Sequence, residues 1–175
     1  TDTLLISQIA YYDDPERFTT MVNKLCDELE KRVADGVSVF PAGTKRIMIS
    51  GTPMAIPNWK MHNLIETSGA AVVCEETCTG TRYFENFVDE SGENEMVSNI
   101  ADRYMKINCA CFTPNSGRFD DIIRLAKEYD VDAVIDVNLK FCQTYDIEGY
   151  LLEDKLKEAG IPVLGIETDY TDSDA

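Results

Sequence analysis

The strongest constraint on this chain is the alternation of short apolar runs with stretches whose apolar residues recur every three or four positions. The runs KRIMIS (45–50), AAVVCEE (70–76), VDAVIDV (131–137) and IPVLGIE (161–167) have strand length and end at turn-forming or polar residues, so each reads as a buried strand. Residues 14 to 35 read as a helix: Asp13 or Asp14 caps it, Pro15 suits its first turn, and Phe18, Val22, Leu25, Leu29 and Val33 form one face before Gly36. Shorter helices are expected over 58 to 68, about 93 to 106, about 118 to 129 and about 147 to 158. Met96, Ile100, Tyr104 and Ile107 share a side of the second of these, and Ile122, Leu125, Ala126 and Tyr129 face inward from the third. The polar connection TCTGTRYFENFVDESGE has no regular period, and INCACFTPN reads as a loop or short strand. Strand alternating with helix calls for right-handed crossovers. The expected fold is α/β, a three-layer sandwich with a mostly parallel, Rossmann-like or flavodoxin-like sheet and its ligand outside the carboxyl ends of the strands.

A length of 175 residues suits one domain, and 44% hydrophobic residues suffice for a core. Asp and Glu outnumber Lys and Arg by 32 to 16, a formal charge of -16, which repels nucleic acid and anionic membranes. No apolar run approaches the roughly 20 residues of a membrane span. The opening TDTLLISQIA has no initiator Met and no basic segment ahead of an apolar one, so it reads as the start of a processed or excised chain. A core of this size needs no disulfides, so six cysteines point to metal or redox use in a reducing, cytoplasmic setting.

Cys74 and Cys78 lie at the end of the second strand and in its exit loop, Cys142 follows the third, and Cys109 and Cys111 sit in a connection able to reach the same sheet edge. Thiolates are soft donors for iron-sulfur clusters, zinc or copper. The spacings match neither a zinc finger nor a ferredoxin run, so a mixture of buried and reactive thiols stands as the alternative. Cys26, inside the first helix beside Leu25, is expected to pack, and the lone His62 to be surface or satisfied structure rather than a ligand. Glu75 and Glu76 either orient ligands and balance charge or cap a turn; Arg82 either pairs with an acidic neighbour or meets a thioester or phosphate. Neither GxGxxG after a strand nor GxxxxGK[ST] occurs, and Ser50, Thr52 and Ser116 have no histidine base to form a triad.

The stretches RIMISGTPM, VVCEETCTGTRYFE, ADRYMKINCACFTPN, DAVIDVNLKFCQTYDIEG and GIPVLGIETDYTDSD occur in an order that resembles the carboxyl-terminal domain of the 2-hydroxyacyl-CoA dehydratase and benzoyl-CoA reductase superfamily. The resemblance covers about Lys45 to Asp174. It implies two parts: residues 1–44, a helix and connection packing on the domain, and residues 45–175, the carboxyl-terminal iron-sulfur α/β domain of a larger subunit. It further implies a cluster lodged between two domains and charged with one low-potential electron by an ATP-hydrolysing iron-sulfur activator. In the dehydratases that electron enters a 2-hydroxyacyl-CoA thioester, forms a ketyl radical, lets water leave and is returned. The ring reductases deliver electrons irreversibly to an aromatic thioester. Cys142, in LKFCQ, is the first ligand the resemblance implies, followed by Cys78, Cys111, Cys109 and Cys74, with Glu75, Glu76 and Arg82 behind them. So many thiols also resemble a branch holding a double-cubane 8Fe-9S cluster, in place of a single 4Fe-4S cubane, for ATP-driven reduction of small molecules. That reductase is the first expectation, a dehydratase subunit the second, and the third a non-catalytic domain that scaffolds a larger iron-sulfur assembly or folds without cluster. The expected partners are the remaining domains of the parent subunit, a homologous subunit in a dimer and the activator; nucleic acid and membrane are not expected.

Overall fold

The computed structural model describes residues 1–55, 58–93 and 95–171. Four strands, β1 (Lys45–Gly51), β2 (Ala70–Glu76), β3 (Ala133–Leu139) and β4 (Val163–Thr168), form a parallel sheet in the order β2-β1-β3-β4. This is the beginning of the flavodoxin-like order, and its winding reverses between β1 and β3, where the carboxyl ends of the strands open a crevice. The expected α/β sandwich is present.

Strand side chains alternate between faces, and the two cores follow that period. Met48, Cys74 and Val134 point to one face and are covered by Ile122, Leu125 and Ala126 of α6 (Ser116–Glu128) and by Leu152 and Leu156 of α7 (Gln143–Glu158). Ile49 and Val137 point to the other, against Leu4 of α1 (Asp2–Ile9), Met54, and Met61 and Ile65 of α3 (Lys60–Thr67). The inward face expected of 118–129 is therefore found at Ile122, Leu125 and Ala126, with Tyr129 packed at its margin.

Helix α1 was not expected from the sequence; Leu4 and Gln8, four residues apart, are buried, and Gln8 Nε2 donates to the Met54 carbonyl at 2.6 Å. Helix α2 (Pro15–Ala34) begins as expected, with the Asp14 side chain accepting from the Arg17 N–H, but it has no fully buried residue. Phe18, Val22 and Leu25 are half-buried, while Leu29 and Val33 are exposed. Cys26 is exposed rather than packed, because it lies off that half-covered face. Helix α5 (Met96–Met105) likewise leaves Met96, Ile100 and Tyr104 exposed and buries Asn99, whose Nδ2 donates to the Asp89 carbonyl at 2.7 Å. Among the described residues no helix is long and apolar enough to cross a membrane. The last part of the acidic TDYTDSD stretch, from Asp172, lies outside the described residues.

Candidate metal centre

The site begins at the strand ends. Ser50, Glu76 and Asp136 are register neighbours on β1, β2 and β3, each two residues beyond Met48, Cys74 and Val134, so all three point to the α6/α7 face just above the core. Two guanidinium groups cover them. Arg118, in the first turn of α6 and fully buried, reaches Glu76 Oε2 at 3.3 Å, Ser50 Oγ at 2.9 Å, Asp136 Oδ1 at 3.4 Å and Glu148 Oε2 at 2.7 Å. Arg82, on the short helix α4 (Thr81–Phe84), donates through Nε to Glu76 Oε1 and through Nη2 to the Gly51 and Glu76 carbonyls at 3.1 and 2.9 Å. The Tyr145 ring lies under both, 5.4 Å from the Arg82 guanidinium carbon and 5.0 Å from that of Arg118. Burial opposes the charge on both arginines, yet the Glu76 carboxylate and its neighbours hold them above the ordinary arginine range. Two cations face three carboxylates here, and Asp136 has the raised proton affinity: burial lifts it against the pull of Arg118.

Two sulfurs, those of Cys78 and Cys109, touch this lattice, and Cys111 and Cys142 lie within electrostatic reach of them. Cys78 is held in the turn after β2, which folds back so closely that a Cβ on Gly80 would stand 2.0 Å from the Glu75 carbonyl oxygen. Arg82 Nη1 donates to Cys78 Sγ at 3.6 Å and also to the Tyr145 hydroxyl. That hydroxyl lies 3.8 Å from Cys109 Sγ. The Cys109 loop is tied down by Asn115, whose Nδ2 donates to the Cys109 carbonyl at 3.1 Å and to Glu148 Oε1 at 2.7 Å. Cys142 occupies the cap position of α7 after a tight turn in which Phe141 takes φ +69° and is 99% exposed; its sulfur is 3.7 Å from Thr144 Oγ1. Burial opposes ionisation of Cys109, but the Cys111 backbone and side chain, Tyr145 and Arg82 bring its thiol below the ordinary range. Cys111 is pushed up, first by its hydrogen bond with Cys109 and that group's charge, then by burial and by Cys142 and Cys78. The four thiols thus share one electrostatic neighbourhood.

The structure does not bring Cys74 to this group. Lying one strand period deeper than Glu76, it is 6% exposed within the core, and burial together with Glu76 pushes its thiol up to about 12. The two glutamates also part company. Glu76 is the centre of the lattice, whereas Glu75 points to the opposite face and accepts from Thr77 Oγ1 at 2.8 Å and pairs with His62 Nε2 at 3.1 Å. Burial opposes the Glu75 charge, and His62 with the two threonines Thr77 and Thr79 still brings its carboxyl below the usual range. His62 is buried structure, not surface, and its Nδ1 has no partner among the described residues. Arg82 takes the acidic neighbour of the two roles open to it.

Arg118, Asp136, Glu148 and Tyr145 were not expected at the site. Their available signals were a polar residue at the same place near the end of three successive apolar runs, and the pairing of Tyr145 with Glu148 three residues on. Among the described residues no three His, Cys, Asp or Glu side chains are arranged around one metal ion. By chemistry the donor set, soft thiols carried on loops beyond the strand ends, fits an iron-sulfur group. Cys78, Cys109, Cys111 and Cys142 are the residues that would hold it.

Comparison with known proteins identifies the family of the chain. The family model for the 2-hydroxyglutaryl-CoA dehydratase D-component matches residues 1–175. YjiM of Escherichia coli (strain K12), provisionally named a dehydratase subunit, is 38% identical over 162 residues, 92% of this chain and 41% of that protein. The (R)-phenyllactyl-CoA dehydratase beta subunit of Clostridium sporogenes is 25% identical over 165 residues, 94% of this chain and 42% of that protein. The chain therefore spans about two fifths of the length of these curated relatives. With the family model matched from end to end, the chain belongs to the 2-hydroxyglutaryl-CoA dehydratase D-component family.

Proposed function

We propose that this chain is the part of a D-component subunit that presents thiolates to an iron-sulfur cluster of double-cubane type, in an ATP-dependent low-potential reductase. The observation that supports the reading is the contact of Cys78 and Cys109 with Arg82 and Tyr145 of the Arg82–Glu76–Arg118 lattice, with Cys111 and Cys142 in electrostatic reach of the same pair. A bound cluster supplies one-electron chemistry at low potential; the protein's levers on it are ligation, charge and exclusion of water. The chain's own part is to hold the sulfurs, to keep two buried cations beneath them and to offer the Tyr145 hydroxyl. The second reading, supported by the names of the relatives, is a 2-hydroxyacyl-CoA dehydratase subunit with a single cubane. In either case the remaining domains of a complete subunit cover the open faces of α2 and α5. A homologous subunit and an ATP-hydrolysing iron-sulfur activator are the further partners, and six free thiols suit a cytoplasmic location.

Anaerobic reconstitution of the complete subunit tests this directly. About eight iron atoms per subunit support two bridged cubanes, about four support the dehydratase reading, and none leaves a scaffold domain only. Cys142→Ala lowers bound iron, whereas Cys74→Val leaves it unchanged. Iron and spectrum unaltered by loss of Cys142 would remove that residue from the ligand set.

A further inference from the structure

We propose that Arg82 is a positioning residue for the sulfurs, holding Cys78 directly and Cys109 through the Tyr145 hydroxyl, and that these two links set the reduction potential of the bound cluster. The inference rests on the cluster reading above. A guanidinium has five N–H donors in a rigid fork, and here every one is engaged: Nε on Glu76, Nη2 on two backbone carbonyls, and Nη1 on Cys78 Sγ and the Tyr145 oxygen. With its oxygen accepting from Arg82, the Tyr145 hydroxyl has its proton left for Cys109 Sγ at 3.8 Å. Neither link is free to swing. Glu76 is pinned by Ser50 Oγ at 2.8 Å and by Arg118, and the Tyr145 ring lies beneath both guanidinium groups.

Hydrogen bonds and positive charge directed at ligand sulfurs stabilise the more negative, reduced cluster and raise its potential. Arg82 therefore carries the charge of the buried lattice to two of the four sulfurs, a role an exposed arginine on the same domain does not share. Lysine in its place keeps the charge but offers three donors from a single point, so it cannot satisfy Glu76, two carbonyls, Tyr145 and Cys78 together.

The test uses the complete subunit, reconstituted anaerobically, with Arg82→Lys, Tyr145→Phe and, as a surface control, Arg124→Met. Bound iron, the melting curve and the midpoint potential by spectroscopic redox titration are read for each. Tyr145→Phe is expected to keep wild-type iron and a potential shifted to a more negative value; Arg82→Lys shifts it further in the same direction, and Arg124→Met leaves it in place. If Arg82→Lys fails to fold, Tyr145→Phe carries the test, because it leaves every Glu76 contact intact. Iron retained with an unmoved or more positive potential in Tyr145→Phe overturns the assignment, as does iron lost from that variant or an equal shift in Arg124→Met. A wild-type subunit that binds no iron overturns the cluster reading as well, which separates the two failures.

Discussion

Replacing Arg118 by Met removes a fully buried cation from among Glu76, Asp136 and Glu148 while roughly keeping its volume. After the substitution Glu76 keeps Arg82 and the Ser50 hydroxyl, Glu148 keeps the Asn115 amide at 2.7 Å, and Asp136 keeps the Asn138 amide at 3.1 Å and Ser50 but loses the Arg118 cation. Losing one partner of a buried ionic group costs about 3–5 kcal/mol, a large share of the roughly 5–15 kcal/mol by which domains are stable. For a chain of this size that lowers the melting temperature by roughly 6–20 °C. The sign of the pH dependence follows from the carboxylates left behind. Burial already raises Asp136, and removing Arg118 raises it further, so the folded protein gains protons relative to the unfolded chain as pH falls. The deficit of Arg118→Met is therefore largest at pH 7 and shrinks toward pH 5. Urea unfolding followed by fluorescence of Trp59, the single tryptophan, measures it at both pH values, with Arg124→Met as a control expected to lose less than about 1 kcal/mol. A deficit below about 1 kcal/mol at pH 7, or one equal at the two pH values, would refute the reasoning that this lattice is a charge-balanced foundation.

Gly80→Ala forces a Cβ against the Glu75 backbone and should cost about 1–3 kcal/mol, whereas Gly165→Ala, with open space around it, stays within about 0.5 kcal/mol; equal melting curves would contradict the close approach. In the metal-free protein Cys74 should be the last thiol alkylated at pH 8, since a group at about 12 is ionised in roughly 1 molecule in 10,000 and is buried as well; mass spectrometry of partly labelled protein checks the order. Asp132 accepts from Lys45 Nζ at 2.7 Å and the Arg46 N–H at 2.8 Å, which depress its carboxyl pKa. Its contribution is present above the unfolded carboxylate range near pH 4 and fades as pH falls through the folded value, so wild type and Asp132→Asn should differ in urea midpoint at pH 7 and converge in acid.

What could be read from the sequence divides along physical lines. The four strands were legible because a buried parallel strand is apolar on both faces, and α6 because its inward stripe meets strands supplied by the same chain. The stripes of α2 and α5 carry the same period, but a period states that a face needs cover without stating what covers it; Leu29, Val33, Ile100 and Tyr104 stay exposed. Helix α7 starts at Gln143, four residues ahead of the expected Ile147, because its first inward residues are Tyr145 and Glu148, and an inward glutamate reads as an outward one until its cation is found. The same reason hid the foundation of the site. Cysteines announce themselves by type, so Cys78, Cys109, Cys111 and Cys142 are visible in the sequence, and Cys74 joins them there by its place at the end of the second apolar run. Strand period decides otherwise: Glu76, not Cys74, is the last inward residue of β2, and a side chain two positions down the strand faces Ile122 and Leu125 instead of the crevice. The residues that fix the sulfurs are thus the ones whose polarity breaks the apolar pattern at the strand ends, and a buried arginine with no free donor is what makes that break consistent with a folded core.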